Sequence, residues 1–166
     1  PQYSSEILKN AVNDAERLGL KVAAHCHAAE GVKNCVDAGI HNLIHCSWLS
    51  SNPSELYDYD GGVADLIAEK DIYVDPTLAL SHLNKLRGKT IKPDAPAMRD
   101  PEKRFEILRD MWDRGVKFVT GMDSGMTNAR FDDFAFIPEI MVNNMYISPL
   151  EAITCATKTS AECLGM

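Results

Sequence analysis

The chain has 166 residues, 45% of them hydrophobic, and carries 24 acidic against 17 basic side chains for a net charge of −7. That length fits one domain able to bury a core, and the acidic balance excludes a nucleic-acid surface, which needs clustered Lys and Arg. No apolar run approaches the roughly 20 residues of a membrane span, so no membrane partner is expected.

Helix–strand alternation runs along the whole chain. Ser5 to Leu18 puts Ile7, Leu8, Ala11, Val12, Ala15 and Leu18 on one stripe, an amphipathic helix closed by Gly19. A strand follows over Lys21 to His27, then a helix from Glu30 to Ala38 ending at Gly39, and a second strand over Asn42 to Cys46. The polar loop Ser50 to Asp60 leads into a helix at Val63 to Lys70 and a strand at Ile72 to Val74. The stretch from Thr77 to Asp100 reads as a long loop with a short helix near Leu78 to Leu86, and its basic run Lys85 to Lys92 as a solvated face. Asp100-Pro101 starts a helix to Arg114, Gly115 stops it, and Lys117 to Thr120 is the fourth strand. Asp132 to Asn144 is helical with a split or kink at Pro138, and Ser148 with Glu151 forms a capping box for a last helix to Leu164. A leading helix followed by four βα units implies an α/β fold with a parallel sheet and right-handed crossovers.

Three of those strands end on a group able to bind a metal or move a proton: His25 and His27, His45, and Asp123 just past the fourth. Alternation puts His25 and His27 on one strand face and Cys26 on the other. Strand ends bearing His and Asp at one rim are how a parallel barrel gathers a metal site. Imidazoles with a carboxylate suit a divalent ion, zinc first. Taken singly, each residue has a plainer reading as a hydrogen-bonded or turn residue; the coincidence at equivalent strand ends favours the metal. His41 lies at the opposite end of its strand and reads as structural, and His82 as an ordinary loop residue. Trp112, Met141 and Met145 read as core. Ser47, Ser50 and Ser51 lack the context of a hydrolase nucleophile, and no strand ends in the Lys an aldolase would need. Five cysteines without a C-x-x-C pair read as buried thiols in a reducing, cytoplasmic setting.

The segment Val22 to Ala28, followed by Ala38-Gly39-Ile40 and Ile44-His45, resembles the middle of the amidohydrolase superfamily, nearest its imidazolonepropionase and Xaa-Pro dipeptidase-like branch. Gly121-Met122-Asp123-Ser124-Gly125, Ser148 to Ile153 and Ala156-Thr157 to Leu164-Gly165 continue the likeness. It implies a partial TIM (β/α)8 barrel, about strands 5 to 8, with residues 1–166 forming one half-barrel domain. By the same likeness His25 and His45 are metal ligands on strands 5 and 6, and His27 is a substrate contact. Asp123 is then the strand-8 carboxylate, binding metal and shuttling a proton between the attacking water and the leaving group. The implied activity is metal-dependent hydrolysis of a C–N bond in a small or dipeptide-like substrate.

The departures are specific. The family's strand-1 H-x-H is absent, as are its strand-4 Lys or Glu and its β-sandwich. Ile44 stands for the usual Glu and Met122 for the usual Thr. Pro1 in place of an initiator Met adds to the expectation that the chain is a piece of a longer protein, weakly active alone. The alternative is a non-catalytic half-barrel that folds as a homo-oligomer, since four strands leave two open edges.

Overall fold

A computed structural model describes residues 2–78, 83, 100–125 and 129–166. Most of the helix near Leu78 to Leu86, His82 and the basic run to Lys92 lie outside the described residues. Helix α1 (Ser5–Arg17) opens on Ser4, whose hydroxyl accepts from the Ile7 N–H. Then come β1 (Ala23–His25), α2 (Ala29–Ala38), β2 (Asn42–Ile44), α3 (Gly61–Glu69), β3 (Tyr73–Asp75), α4 (Pro101–Asp113) and β4 (Lys117–Phe118). The strands are shorter than the apolar runs that encode them, because pairing ends where the chain turns toward each helix. Asp60 and Asp100 cap α3 and α4 through their carboxylates, and Gly39 closes α2 with a left-handed φ of 77°.

The four strands form one parallel sheet in the order β1-β2-β3-β4. Register pairs His25 with Ile44 and Ile44 with Asp75, so strand ends align at one rim. Alternation then divides the sheet. Leu43, Val74 and Phe118 point to the helices and pack in one core with Val32, Val36, Ile67 and Met111. Ala23, His25, Asn42, Ile44, Tyr73 and Asp75 occupy the other face, where Ala23 and His25 are exposed. All five cysteines are buried free thiols.

Two elements depart from the sequence reading. The helix expected over Asp132 to Asn144 divides into a 3-10 turn (Phe131–Asp133) and α5 (Phe136–Met145). Pro138 falls in the first turn of α5, where its missing N–H costs nothing. The last helix holds its Ser148–Glu151 capping box but runs as α6 (Pro149–Thr154), a π turn (Cys155–Thr159) and α7 (Ser160–Cys163).

Phe118, 1% exposed, is the side chain through which β4 enters the core. Phe118→Ala is expected to cost about 3–5 kcal/mol, read as a lower urea midpoint. An unchanged midpoint would mean that β4 does not hold the sheet to its helices.

Candidate metal centre

Three imidazoles meet at the C-terminal rim of β1 and β2. Ligand atoms of His25, His27 and His45 all lie within 4.8 Å of one another. His45 Nε2 is 2.9 Å from His25 Nδ1. The His27 and His45 rings stack, with centroids 4.2 Å apart and planes 15° from parallel. Two nitrogens each about 2.0–2.1 Å from one zinc would stand roughly 2.9–3.4 Å apart, so the His25–His45 pair has the spacing of two ligands on one ion. A divalent metal fits this donor set.

Burial favours the neutral imidazole at His45 and at His27. His45 is 7% exposed, and burial, reinforced by His27 and His25, pushes its pKa from 6.5 down to about 4 against the opposing pull of Asp123. Burial also lowers His27, with the Arg104 guanidinium acting in the same direction. A metal takes the neutral ring, so these shifts keep a lone pair ready well below neutrality.

Behind the imidazoles stands a layer of polar groups that sequence reasoning missed. His45 Nδ1 is 2.6 Å from Thr77 Oγ1. The Thr77 N–H donates to Asp75 Oδ1 at 3.0 Å, and the Gly121 N–H donates to the same oxygen at 3.0 Å. Burial raises the Asp75 pKa. Only glycine fits at position 121, because a Cβ there would overlap the Asp75 carboxylate. Arg104, from α4, donates to Ser47 Oγ at 2.9 Å and to the carbonyls of His45 at 3.3 Å and Pro76 at 2.6 Å. Ser47 Oγ in turn lies 3.0 Å from His27 Nδ1. Asp75 could have been found by the strand-end rule that picked out His25 and His45. Arg104 had no local signal, since it lies 57 residues from Ser47.

The chain leaves three strands through left-handed backbone at non-glycine residues: His45 at φ 70°, Thr77 at 48° and Asp123 at 57°. Such conformations cost free energy and gather at functional sites. Asp123 is exposed and is not a member of the imidazole group, although its charge reaches His27 and His45. The structure thus brings His27 closer to the other two histidines than the sequence pattern required. His41 is remote from the site, with Nε2 2.9 Å from the Cys163 carbonyl and its ring against Tyr73.

A four-stranded parallel βα sheet with histidines at its C-terminal rim is the arrangement by which parallel barrels gather a site at the strand ends. Residues 1–166 match the amidohydrolase family, and the chain belongs to it. Among solved structures it resembles the A. niger ochratoxinase, with TM-score 0.77 and 25% identity over 98% of this chain and 34% of that one. It also resembles an amidohydrolase at TM-score 0.74 and 26% identity (99% and 37% covered), and a Xaa-Pro dipeptidase with bound methionine at 0.73 and 23% (99% and 39%). The chain therefore spans little more than a third of the length of these relatives. No curated protein matches by sequence. Among the described residues no helix is long and apolar enough to cross a membrane.

The His45 shift fixes the sign of a pH dependence. A ring that titrates at about 4 when folded and near 6.5 when unfolded takes up its proton first in the unfolded chain. The stability it supports is therefore full above pH 6.5 and lost as the pH falls toward 4. Urea titrations across that window should show a steeper decline for the wild type than for His45→Gln; parallel curves would contradict the assignment.

Proposed function

We propose that these residues are strands 5 to 8 of the barrel of a metal-dependent amidohydrolase, one half-barrel domain over 1–166. The convergence of three imidazoles at the strand ends carries this reading, and family membership supports a hydrolase. His25 and His45 hold the metal, zinc before other divalent ions, with Asp123 as the carboxylate of the same centre and His27 as a substrate contact. A bound divalent ion supplies a Lewis acid for the scissile carbonyl and makes water acidic enough to attack near neutral pH. Asp123 accepts a proton from the attacking water and returns it to the leaving nitrogen, so the C–N bond breaks to give a carboxylate and an amine. A small dipeptide-like substrate fits the likeness to a Xaa-Pro dipeptidase.

Metal content decides between this reading and a merely structural histidine cluster. Protein purified without chelators should carry zinc, and a His25→Ala, His45→Ala double variant should lose it; equal metal in both would sink the proposal. In the whole enzyme, Asp123→Asn should lower dipeptide hydrolysis about 10²–10⁴-fold while zinc stays bound. Full activity in that variant would remove Asp123 from the proton path.

A second reading, a half-barrel completed by another copy of itself, is favoured by the outer strands β1 and β4. A folded monomer by light scattering at micromolar concentration would exclude it.

A further inference from the structure

The polar layer treats His27 and His45 differently. Arginine is a donor at every nitrogen, whereas a serine hydroxyl has one proton and two lone pairs. Arg104 Nη1 spends an N–H on Ser47 Oγ, which is 2% exposed, and Nη2 holds the backbone carbonyls of His45 and Pro76. The guanidinium is thus fixed by two loops at once and cannot turn away from Ser47 without breaking three bonds.

An oxygen that accepts from a cation becomes a stronger donor through its own proton. That proton has His27 Nδ1 at 3.0 Å. The reverse arrangement would aim the imidazole N–H and the guanidinium N–H at one oxygen and leave the serine proton to find another acceptor. The Ser47 hydroxyl therefore donates to Nδ1, and the hydrogen bond at one ring nitrogen sets the state of the other. The ring proton of His27 sits on Nε2.

His45 has the opposite surroundings. Its Nδ1 faces Thr77 Oγ1, and Thr77 is anchored through its own N–H to the Asp75 carboxylate. Thr77 is placed to accept the Nδ1 proton, which leaves a lone pair on Nε2 directed at His25 Nδ1. Ligating histidines are oriented in this way by a bond at their second nitrogen.

We propose that Arg104 is a positioning residue that, through Ser47, holds His27 in its Nε2–H tautomer, making His27 a hydrogen-bond donor to a substrate oxygen and not a third metal ligand. The proposal deepens the amidohydrolase reading and rests on it for the identity of the substrate; the tautomer does not.

Long-range ¹H–¹⁵N correlation spectra of the full chain in mildly alkaline buffer read each imidazole nitrogen directly, with and without zinc. In the wild type, His27 should show a protonated Nε2 and a bare Nδ1, and should keep that pattern when zinc shifts His25 and His45. Ser47→Ala and Arg104→Met should each lower the His27 tautomer ratio about fivefold, the worth of one net hydrogen bond, and Arg104→Lys, which keeps a cation, should restore it in part. Should Arg104→Met fail to fold, Ser47→Ala, which loses one hydroxyl, carries the comparison. A bare Nε2 on His27 in the metal-free wild type, loss of its proton on zinc binding, or a ratio unmoved in Ser47→Ala would overturn the proposal. Absence of zinc binding with the tautomer intact would overturn the metal reading alone.

Discussion

The site depends on the register of three parallel strands. Pairing of His25 with Ile44 and of Ile44 with Asp75 puts one residue from each strand in a single row on the face away from the helices. His45 then follows Ile44 at the point where pairing ends, and Thr77 follows Asp75 by two. A slip of one residue would send His25 into the core and bring Cys26 out, because strand side chains alternate. The register is held from the opposite face, where Leu43 and Val74 have no exposure at all and Phe118 almost none. Burial of that apolar row is what keeps the polar row in place.

Strand pairing alone does not aim the side chains. Beyond Ile44 and Asp75 the chain enters left-handed backbone at His45 and Thr77, a conformation that non-glycine residues adopt at a cost of order 1–3 kcal/mol. The surrounding bonds offset that cost. The His45 N–H still reaches the Asp75 carbonyl at 2.8 Å, as if the ladder continued, while its own carbonyl is taken by Arg104. Asp75 does the same for the next loop, receiving N–H groups from Thr77 and Gly121 on one oxygen. One arginine and one carboxylate thereby join the loops after β2, β3 and β4 behind the imidazoles. Bonds to the second ring nitrogen of a histidine are how outer groups orient the ligands of metal centres in general.

Much of this was legible in the chain. Helices announced themselves through Gly39, Asp100-Pro101 and the Ser148–Glu151 box, each acting within a few residues. The strand-end histidines were visible because alternation and a terminal polar residue are local patterns too. Arg104 was not, since its three acceptors are Ser47, His45 and Pro76, and nothing in Glu102-Lys103-Arg104-Phe105 distinguishes it from a surface cation on a helix. Ser47 lacks the surroundings of a nucleophile, and its contacts with Arg104 and His27 join residues 57 and 20 positions away. Pro138 reads in the sequence as a split or kink, because sequence alone does not say whether a proline falls within a first turn. His27 was placed on the right face, but its stacking on His45 follows from how two loops fold over the rim.

The last helix bears on Asp123 by a route no periodicity reveals. Thr120, just beyond β4, directs its N–H away from β3, and that N–H donates to Ser160 Oγ at 3.3 Å. Ser160 in turn donates to the Cys155 carbonyl at 2.7 Å, five residues back, where the π turn over Cys155–Thr159 widens the helix. A regular α-helix would close that carbonyl onto residue 159; a π turn shifts the closure one residue on, to Ser160, whose hydroxyl reaches the carbonyl. Ser160 so supplies part of what a neighbouring strand would give the outer edge of β4. Asp123 lies three residues past Thr120, after the Gly121 whose N–H is held by Asp75. The carboxylate therefore leaves a strand end held on one side by Ser160 and on the other by Asp75, which ties its place at the rim to a helical irregularity some forty residues away.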